Sequence, residues 1–362
     1  MNNKNTMILY IEKQAIDYKR TQKIISVFKN ADIIYIDHYK NIFDKKIGNL
    51  RVEKCIIVAK LTSPAITDAP AWYGHNNDCS YFFKTSLNCV YDCDYCFLKG
   101  AFKNDMQVYF VNYDEIKQQI KDKIKDSCVI SGSEEGDNDY ELKIKSDYKN
   151  AIWFYSSDYS DILWMDYLSG FMKEFVPFFE SLNSPLLDKR GAGGELWNIM
   201  MEVRTKSGNI QPILDLWFVP KNTEFAFSLN PQSLIDKYEK WTASLDHRIT
   251  AINYLLKKWY KVWVRFLPLL PVSNYKEIYT EFVNEISENI DFSKISSSFA
   301  SGLLYTKNDY NTMLKKYPKL DVLYRLKQEA DWFVREQREV RDFFYNLFRE
   351  LDNECFICLD EK

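Results

Sequence analysis

Six short apolar segments recur along the central part of the chain, each separated from the next by a helical pattern or a long connection. They span residues 81–86, 151–156, 199–204, 224–229, 262–267 and 295–300. Strands that alternate with such connections are typical of parallel sheets, because each connection returns the chain to the same edge of the sheet. The sequence therefore predicts an α/β fold in which six βα units form a parallel sheet, curved into a partial barrel of the TIM type.

A smaller unit precedes the barrel. Apolar runs at residues 8–11, 33–36 and 55–59 are typical of strands, and the segment 15–29 suits a packed helix. The stretch that follows contains Pro64 and Pro70 and is typical of a connector. We therefore expect a βαβ-like unit with its connector over residues 1–75 and the barrel over residues 76–302.

Two further patterns concern helices. After the first barrel strand, residues 108–112 suggest an extra strand, and Ile116, Ile120 and Ile124 mark one face of a following helix. Between residues 322 and 351, apolar residues recur at near-heptad spacing. This pattern predicts that the C-terminal extension, residues 303–362, contains one long amphipathic helix, or two, packed on the barrel; a face for a partner helix is the alternative.

Net charge limits the classes of partner. The chain has 48 Lys and Arg against 51 Asp and Glu, for a formal net charge of -3. Proteins that bind duplex DNA without sequence preference usually carry a basic excess, which leaves only a local basic groove open here. The apolar run at residues 7–11 is too short for a signal peptide or a membrane span, so we expect a cytoplasmic protein with reduced cysteines.

Three of the eight cysteines, Cys89, Cys93 and Cys96, lie within eight residues. Their spacing, CxxxCxxC, lets three thiolates converge on one inorganic centre while a fourth coordination position stays open. The same spacing would line one buried face of a helix, but the flanking aspartates do not suit such packing. A structural zinc site would need a fourth ligand, for which Cys79 is the nearest cysteine. The motif predicts a metal or iron-sulfur site on the functional face of the barrel, since it follows the first barrel strand.

The cysteine spacing and the order of several other motifs resemble the spore photoproduct lyase family of radical S-adenosylmethionine (SAM) proteins. The similar stretches are LYIEKQAIDY (9–18), the cysteine loop, VYFVNYDEI (108–116), RTKS (204–207), FSLNP (227–231), SLDHRITAI (244–252) and PLLP (268–271). The resemblance implies that Cys89, Cys93 and Cys96 hold a 4Fe-4S cluster whose fourth iron binds SAM. Reductive cleavage of SAM would give a 5'-deoxyadenosyl radical for hydrogen abstraction. A partial (βα)6 barrel, a nucleic acid or nucleotide substrate and an external electron donor of the flavodoxin or ferredoxin type are also implied.

The resemblance implies particular contacts to SAM. Ser160, Lys206, Ser228 and Asn230 match the SAM-binding positions of the family. A lysine suits the carboxylate of SAM, and hydroxyl and amide groups suit its polar edges. Tyr95 is the aromatic residue that precedes the last cluster cysteine, and it is a catalytic candidate.

Three other positions resemble known motifs. Glu239 and Arg248 match family positions, although Arg248 would equally serve in a structural ion pair. A Gly-Gly-Glu triplet at residues 193–195 is similar to the SAM-binding motif of other radical SAM enzymes. It lies well beyond the end of the second predicted barrel strand, so we interpret it as a coincidence.

The chain departs from the family at two positions that concern the reaction. Asp158 stands where the family has the cysteine that returns a hydrogen atom to the product, and Phe97 stands where it has a tyrosine thought to relay the radical. A carboxylic O-H bond is too strong to replace the thiol, and an exposed aspartate carries no proton at neutral pH. Phenylalanine has no phenolic hydrogen to give.

Two hypotheses of function follow. The first is a radical SAM enzyme with Asp158 in place of the hydrogen donor, and the second is a cluster-bearing protein that binds or senses SAM or nucleic acid without lyase turnover. The remaining cysteines offer no clear replacement: we expect Cys79 and Cys128 to be core or surface residues. Cys355 and Cys358 have CxxC spacing, but without a second pair we expect them to pack in a C-terminal tail.

Overall fold

The computed structural model describes residues 7–45, 55–70, 73, 79–129, 151–156, 158–182, 198–328 and 333–357. Within these residues, no helix is long and apolar enough to cross a membrane. The strands are β1 (Ile8–Glu12), β2 (Asp32–Ile36), β3 (Cys55–Ala59), β4 (Ile66–Asp68), β5 (Ser80–Phe83), β6 (Ser86–Leu87), β7 (Asp92–Cys93), β8 (Gln107–Phe110), β9 (Ala151–Tyr155), β10 (Asn198–Thr205), β11 (Thr223–Ser228), β12 (Glu239–Lys240), β13 (Val262–Leu269), β14 (Ser297–Gly302), β15 (Leu304–Thr306), β16 (Leu326–Gln328), β17 (Phe333–Glu336) and β18 (Phe356–Ile357).

Helices connect most of these strands. They are α1 (Lys19–Val27), α2 (Lys40–Phe43), α3 (Leu98–Ala101), α4 (Tyr113–Val129), α5 (Ile162–Ser169), α6 (Phe171–Leu182), α7 (Gln211–Leu214), α8 (Gln232–Tyr238), α9 (Leu245–Lys257), α10 (Tyr275–Asn289), α11 (Lys307–Lys316) and α12 (Arg338–Leu351). Short 3-10 turns occur at Lys13–Ala15, Phe292–Lys294 and Asp321–Arg325. The predicted helix face of Ile116, Ile120 and Ile124 is buried along α4.

The largest sheet is the predicted partial barrel. Its strand order is β18-β14-β13-β11-β10-β9-β5-β4, and the six strands from β5 to β14 are parallel to one another. Antiparallel β4 and parallel β18 form its two ends among the described strands, so the sheet curls without closing. All six predicted barrel strands are confirmed, and with them the predicted α/β half-barrel. Because the strands are parallel, their carboxyl ends meet at one rim, the barrel mouth.

Side chains alternate between the two faces of the barrel sheet. One set, which includes Ile152, Phe154 and Val264, joins the large core with the surrounding helices. The other set forms a separate aromatic layer that contains Trp153 and Trp263, whose ring centroids are 6.0 Å apart. This layer occupies part of the barrel interior, together with buried charged side chains such as Glu202 and Arg265.

The N-terminal unit is a five-stranded sheet in the order β2-β1-β3-β8-β6, parallel except for β6. Its first three strands and α1 confirm the predicted βαβ-like unit. The predicted strand at residues 108–112 is present as β8, but it pairs with β3 in this sheet and not with the barrel. The N-terminal sheet thus takes two strands from the chain segments on either side of the cysteine loop.

The C-terminal extension corrects one prediction. The helix begins at Arg338, whereas the predicted helical stripe from residue 322 includes a 3-10 turn and the strands β16 and β17. These strands form a three-stranded antiparallel sheet with β15, in the order β15-β17-β16. The apolar spacing was misleading because a few apolar residues in a short segment fit both the helical period and the strand period. Pairing with the distant strand β15 determines that the segment forms a strand. From Arg338 to Leu351 the predicted amphipathic helix is confirmed.

Candidate active site

The cysteine loop connects two strands of the N-terminal sheet, since it leaves from β6 and returns to β8. Asn88 starts the loop at a φ of 64°, a conformation that asparagine tolerates better than most residues. Its side-chain amide donates to the carbonyls of Asn104 and Met106, both at 2.9 Å. Asn104 in turn donates to the carbonyl of Phe43 at 2.6 Å. The base of the loop is therefore closed and fixed to the N-terminal unit.

Further contacts hold the middle of the loop. Strand β7 pairs antiparallel with β12, which places Glu239 opposite Cys93. The hydroxyl of Tyr305, on β15, donates to the carbonyl of Tyr95. The segment between the second and third cysteines is thus held against the barrel and the C-terminal sheet.

The three thiols lie in a shielded environment. Cys93 is buried, and Cys89 and Cys96 are partly buried. Burial raises the pKa of each thiol, and neighbouring thiols raise the pKa of Cys89 and Cys93 further. Thiols that affect one another electrostatically surround a common site, and their ionisation there requires a positive partner. A set of three thiols with this chemistry fits an iron-sulfur cluster that keeps one iron open.

A single-ion site is a different arrangement. In the part of the chain that the structure describes, no three His, Cys, Asp or Glu side chains are grouped closely enough to hold one metal ion. The sulfurs of a 4Fe-4S cluster are more widely spaced, since each binds a different iron. The prediction of a cluster over a zinc site therefore rests on the CxxxCxxC spacing.

Glu239 is buried, and its carboxylate accepts short hydrogen bonds from four side chains and a longer one, of 3.5 Å, from the hydroxyl of Thr242. Oε1 accepts from the Tyr95 hydroxyl, from Lys206 Nζ at 3.1 Å and from Asn230 Nδ2 at 2.8 Å. Oε2 accepts from Arg248 Nη2 at 2.6 Å. Burial by itself would raise the pKa of Glu239, but Lys206 and Arg248 hold this pKa well below its ordinary value. We call Glu239 and its four short-bonded partners the Glu239 network.

Arg248 forms a buried ion pair with Glu239, which is the structural role that the sequence offered as an alternative for this residue. It is fully buried on α9, where Nη1 donates to the carbonyl of Ser228 at 2.8 Å and Nε to that of Ala243 at 2.9 Å. Ser228 is thus joined to the network through its backbone. Asn230 is held from its other side, because Tyr279 donates to Oδ1 at 3.2 Å.

Asp161 links the ends of two barrel strands. As the N-cap of α5, its carboxylate accepts from the backbone amide of Trp164 at 3.0 Å. The same carboxylate accepts from the hydroxyl of Thr205 at 2.9 Å and from the backbone amide of Lys206 at 2.8 Å. Asp161 therefore fixes the backbone from which the Lys206 side chain reaches Glu239.

The structure brings some predicted SAM-contact residues together more closely than others. Lys206 and Asn230 meet at Glu239 with Tyr95, and Ser228 lies next to them. The hydroxyl of Ser160 instead shares a hydrogen bond of 2.6 Å with the hydroxyl of Ser86 on β6. Ser160 therefore borders the N-terminal sheet and has no direct bond to the Glu239 network.

Asp158 is half-buried just beyond the carboxyl end of β9, so the expectation of an exposed aspartate is wrong. Burial raises the pKa of Asp158 to about 6, although Arg265 opposes this shift. The Tyr159 ring lies beside the cysteine loop, with its centroid 6.5 Å from that of Phe97 and 6.2 Å from that of Phe102.

Arg265 provides a positive charge near Asp158. It is fully buried on β13, donates through Nη1 to Glu202, and its guanidinium carbon lies 4.3 Å from the ring centroid of Phe299. Among the described residues, its Nε and Nη2 have no hydrogen-bond partner. Burial raises the pKa of Glu202 to about 7, although Arg265 opposes this shift. The interior below the mouth therefore contains a charged layer of Asp158, Arg265 and Glu202.

Sequence reasoning did not single out Asp161 or Tyr159. An aspartate before the apolar run 162–165 is an N-cap signal that would have identified Asp161. Nothing in the sequence identifies the position of Tyr159 beside the cysteine loop. The Gly-Gly-Glu triplet at 193–195, Cys358 and the side chain of Cys128 lie outside the described residues.

Comparison with known proteins identifies the family to which the chain belongs. A family model described as spore photoproduct lyase matches residues 141–332, more than half of the chain. Spore photoproduct lyase of Geobacillus sp. (strain Y412MC61) is 22% identical over 275 residues, which cover 72% of this chain and 70% of that protein. The Bacillus subtilis (strain 168) enzyme of the same name is 22% identical over 327 residues, covering 86% and 82%.

Solved structures of spore photoproduct lyase have a fold similar to that of this chain. A spore photoproduct lyase variant with bound AdoMet and dinucleoside spore photoproduct matches with a TM-score of 0.74 at 17% identity, over 98% of each chain. Spore photoproduct lyase complexed with dinucleoside spore photoproduct matches with a TM-score of 0.73 at 16% identity, again over 98% of each chain. The family match over more than half of the sequence shows that the chain belongs to the spore photoproduct lyase family of radical SAM enzymes.

Proposed function

We propose that this chain is a lyase-type radical SAM enzyme that acts on a damaged nucleic acid or nucleotide. The observation that carries the proposal is the cysteine loop held against the Glu239 network. Cys89, Cys93 and Cys96 would hold a 4Fe-4S cluster and leave one iron for SAM. When bound, the cluster and SAM supply a 5'-deoxyadenosyl radical, while the protein binds, orients and excludes water.

Lys206 would bind the carboxylate of SAM. Its ammonium group has three donors, and two are used in bonds to Glu239 at 3.1 Å and to the carbonyl of Leu267 at 3.2 Å. Its side chain keeps 17% of its surface exposed, so a third donor can reach a ligand at the mouth. The ionised Glu239 next to it keeps the ammonium group oriented.

The other predicted contacts would complete the SAM site. Asn230 is held by Glu239 at one end of its amide and by Tyr279 at the other, so its orientation is defined before a ligand arrives. Ser228 lies next to it, and Ser160 borders the site from the side of the N-terminal sheet. Preoriented polar groups bind a ligand with little loss of conformational entropy. Tyr95, whose hydroxyl is used by Glu239, would act as a support for the site and not as a proton donor.

A dinucleoside lesion is the first substrate to test, because solved members of the family were obtained with dinucleoside spore photoproduct. The net charge of -3 suits a short lesion held in a local site better than a long duplex held by a basic surface. The enzyme would need a one-electron donor protein of the flavodoxin or ferredoxin type to reduce its cluster. Its context would be DNA repair.

The first experiment tests SAM cleavage. Protein reconstituted without oxygen and reduced with dithionite should form 5'-deoxyadenosine from SAM, and Cys93→Ala should not. Cys79→Ala is the matched control, since Cys79 lies before β5 at the other end of the barrel, and it should retain both iron and cleavage. If the unaltered protein holds its cluster but forms no 5'-deoxyadenosine, the proposed function is wrong.

The second candidate function is a cluster-bearing binding or sensing protein without turnover. What favours it is Asp158, which the sequence resemblance puts where the family has a thiol. Dinucleoside spore photoproduct distinguishes the two: an enzyme converts it and forms 5'-deoxyadenosine in proportion. A sensor binds SAM or the lesion with no product.

A further inference from the structure

A cavity lies beside the barrel mouth, between α5 and α9. Its volume is about 550 Å³, which falls within the range of about 300–1,000 Å³ for small-molecule sites. Its wall includes Tyr91 of the cysteine loop, residues 207–210 after β10, residues 241–243 after β12 and one face of α9. None of the roles assigned above uses this cavity, and we call it the rim pocket.

Large aromatic side chains surround the rim pocket although solvent reaches them. Trp164, Trp241 and Tyr254 line it, with 36%, 67% and 43% of their surfaces exposed. Tyr167 extends this surface, because its ring packs edge-on against Trp164 at a centroid distance of 5.6 Å. Exposed aromatic rings that gather around one recess are typical of a binding site.

The rest of the lining limits the chemistry of the ligand. Asn209, His247 and Thr250 contribute amide, imidazole and hydroxyl groups. Among the described residues that line the pocket there is no Asp, Glu, Lys or Arg. A phosphate or an ammonium group would therefore find no counter-charge in this lining. The lining suits an uncharged planar ring with hydrogen-bonding edges, and a nucleobase is such a ring.

Hydrogen bonds join the rim pocket to the Glu239 network. The hydroxyl of Thr242, in the pocket wall, donates to the carbonyl of Glu239 at 2.9 Å and accepts from Arg248 Nη2 at 2.7 Å. The backbone amide of Ala243 donates to the carbonyl of Lys206 at 3.1 Å. The pocket wall is therefore fixed to the same residues that would hold SAM.

We propose that the rim pocket binds an unpaired nucleobase of the substrate strand, outside the lesion itself. The inference rests on the proposed function, specifically on its nucleic acid substrate. Aromatic rings stack on the face of any base, so this contact would tolerate every sequence. A base that is paired and stacked in a duplex has neither face free, so the strand would be single or locally opened.

A strand suits the rim pocket better than the other occupants do. Trp241 is two-thirds exposed, so a free nucleoside bound there would keep one side in solvent. A base that is joined through the backbone to a lesion at the mouth binds within the same complex, which raises its effective concentration. The electron-donor protein is the alternative occupant, but such partners are guided by complementary charge, which the described lining lacks.

Trp241 can be replaced without disturbing the backbone. It is the third residue of a turn in which the amide of Thr242 donates to the carbonyl of Glu239 at 3.3 Å, and its φ is 68°. Glycine suits this φ better than tryptophan does, so Trp241→Gly removes the ring and keeps the turn. Trp259 provides the matched control, because it follows α9 with a φ of 64°, is 88% exposed and lies outside the pocket lining.

The experiment measures binding of a single-stranded thymidine hexamer that carries one 2-aminopurine base. The protein holds its reconstituted cluster, and no reductant is present. Stacking on an aromatic ring quenches the fluorescence of 2-aminopurine, so the unaltered protein and Trp259→Gly should bind the hexamer with equal affinity. Trp241→Gly should weaken the affinity about tenfold, which is within the range for loss of one base-aromatic stack. The urea midpoints of both variants should be no lower than that of the unaltered protein.

A second variant leaves the turn unchanged. Thr250→Glu places a carboxylate in the pocket next to the bound strand, and it should also weaken hexamer binding by about tenfold or more. Asn311→Glu, exposed on α11 and outside the lining, is its control. Equal hexamer affinities for these two variants would contradict the proposal.

The remaining outcomes identify what the pocket binds. Equal hexamer affinities for Trp241→Gly and Trp259→Gly would overturn the role of the rim pocket and leave the proposed function intact. If 2-aminopurine riboside binds as tightly as the hexamer, the pocket is a site for a free nucleoside and the strand proposal is wrong.

Formation of 5'-deoxyadenosine tests the alternative occupant. Slower formation by Trp241→Gly with a flavodoxin but not with dithionite, together with unchanged affinity for the hexamer, would assign the pocket to the electron donor and overturn the proposal. Absence of 5'-deoxyadenosine from the unaltered protein would refute the proposed function alone, because hexamer binding requires no cleavage of SAM.

Discussion

The two sides of the barrel mouth differ in how their charges are paired. On one side, the Glu239 carboxylate accepts short hydrogen bonds from four side chains and two of them are cations, so the network is fully satisfied and its charges are fixed. On the other side, Arg265 is the opposing charge near Asp158, and the Asp158 pKa of about 6 allows a change of charge near neutral pH. The fixed side holds residues that the sequence resemblance assigns to SAM binding, whereas the titratable side holds Asp158, which the resemblance predicts to stand where the family has a cysteine. The comparison teaches that the fixed charges and the titratable charge of the mouth belong to separate sets of contacts, which can change independently.

The largest effect is expected on the fixed side. Glu239→Gln leaves Arg248 and Lys206 without their buried counter-charge, and breaking a buried ion pair in this way costs about 3–5 kcal/mol. Urea unfolding of the unaltered and variant proteins measures the loss. Asp37→Asn, which removes the exposed ion pair with Lys13, is the control and should leave the unfolding midpoint unchanged. If Glu239→Gln and Asp37→Asn have the same unfolding midpoint, the Glu239 network does not stabilise the barrel mouth, and the proposed difference between its two sides is wrong.

The next effect tests the titratable side by its pH dependence. Because the pKa of Asp158 is raised from 3.8 to about 6 in the folded protein, its neutral form favours folding at low pH. This stabilisation is complete below pH 4 and is lost as the pH rises through 6, by at most about 3 kcal/mol.

Asp158→Asn removes the titrating carboxyl group and with it the loss of stability as the pH rises. The variant should therefore gain stability relative to the unaltered protein between pH 4 and pH 7. Unfolding free energies measured at each pH provide the comparison. Parallel curves for the two proteins would mean that Asp158 does not titrate in this range and that both sides of the mouth carry fixed charge.

A smaller effect concerns the closed base of the cysteine loop. Asn88→Gly keeps the φ of 64° but removes the donor to Asn104 and Met106, which should cost about 1–2 kcal/mol. Asn88→Ala adds the strain of a left-handed conformation, about 1 kcal/mol more. Unfolding measures both losses, and iron per chain after reconstitution should fall in the same order. Equal values for the glycine and alanine variants would contradict the strained conformation.

The smallest effect is expected for Phe97→Tyr. The residue is partly buried next to Tyr159, so an added hydroxyl at the mouth should change stability by less than about 1 kcal/mol. An enzyme that already has its own hydrogen donor should give the same product yield from dinucleoside spore photoproduct with this variant. A large gain in product yield would mean that the unaltered chain lacks a hydrogen donor. That result would support the hypothesis of a sensor without lyase turnover.

The sequence predicts the barrel strands and the cysteine loop because both are local patterns. An apolar strand is visible within six residues, and the cysteine spacing lies within eight. The N-terminal unit was predictable for the same reason. The two C-terminal strands were not, since the pairing of β17 with β15 joins residues about thirty positions apart and overrides a helix-like spacing.

The Glu239 network was only partly predictable. Lys206 and Asn230 follow barrel strands, so their presence at the mouth could be expected from topology. Their common partner could not, because Glu239 is brought to the loop by a pairing with Cys93 across 146 positions of chain. The pKa of Asp158 is raised by burial and held back by Arg265, and neither effect leaves a signal in the residues around Asp158.

The closure of the cysteine loop also has a mechanical consequence. Asn104 ties the loop to the N-terminal unit, Glu239 to the barrel and Tyr305 to the C-terminal sheet. Any fluctuation that separates two of these units must break a contact of the loop, so cluster loading should suppress such openings in all three together. Slower hydrogen exchange and greater protease resistance would then extend far from the cysteines, into strands that never approach the iron.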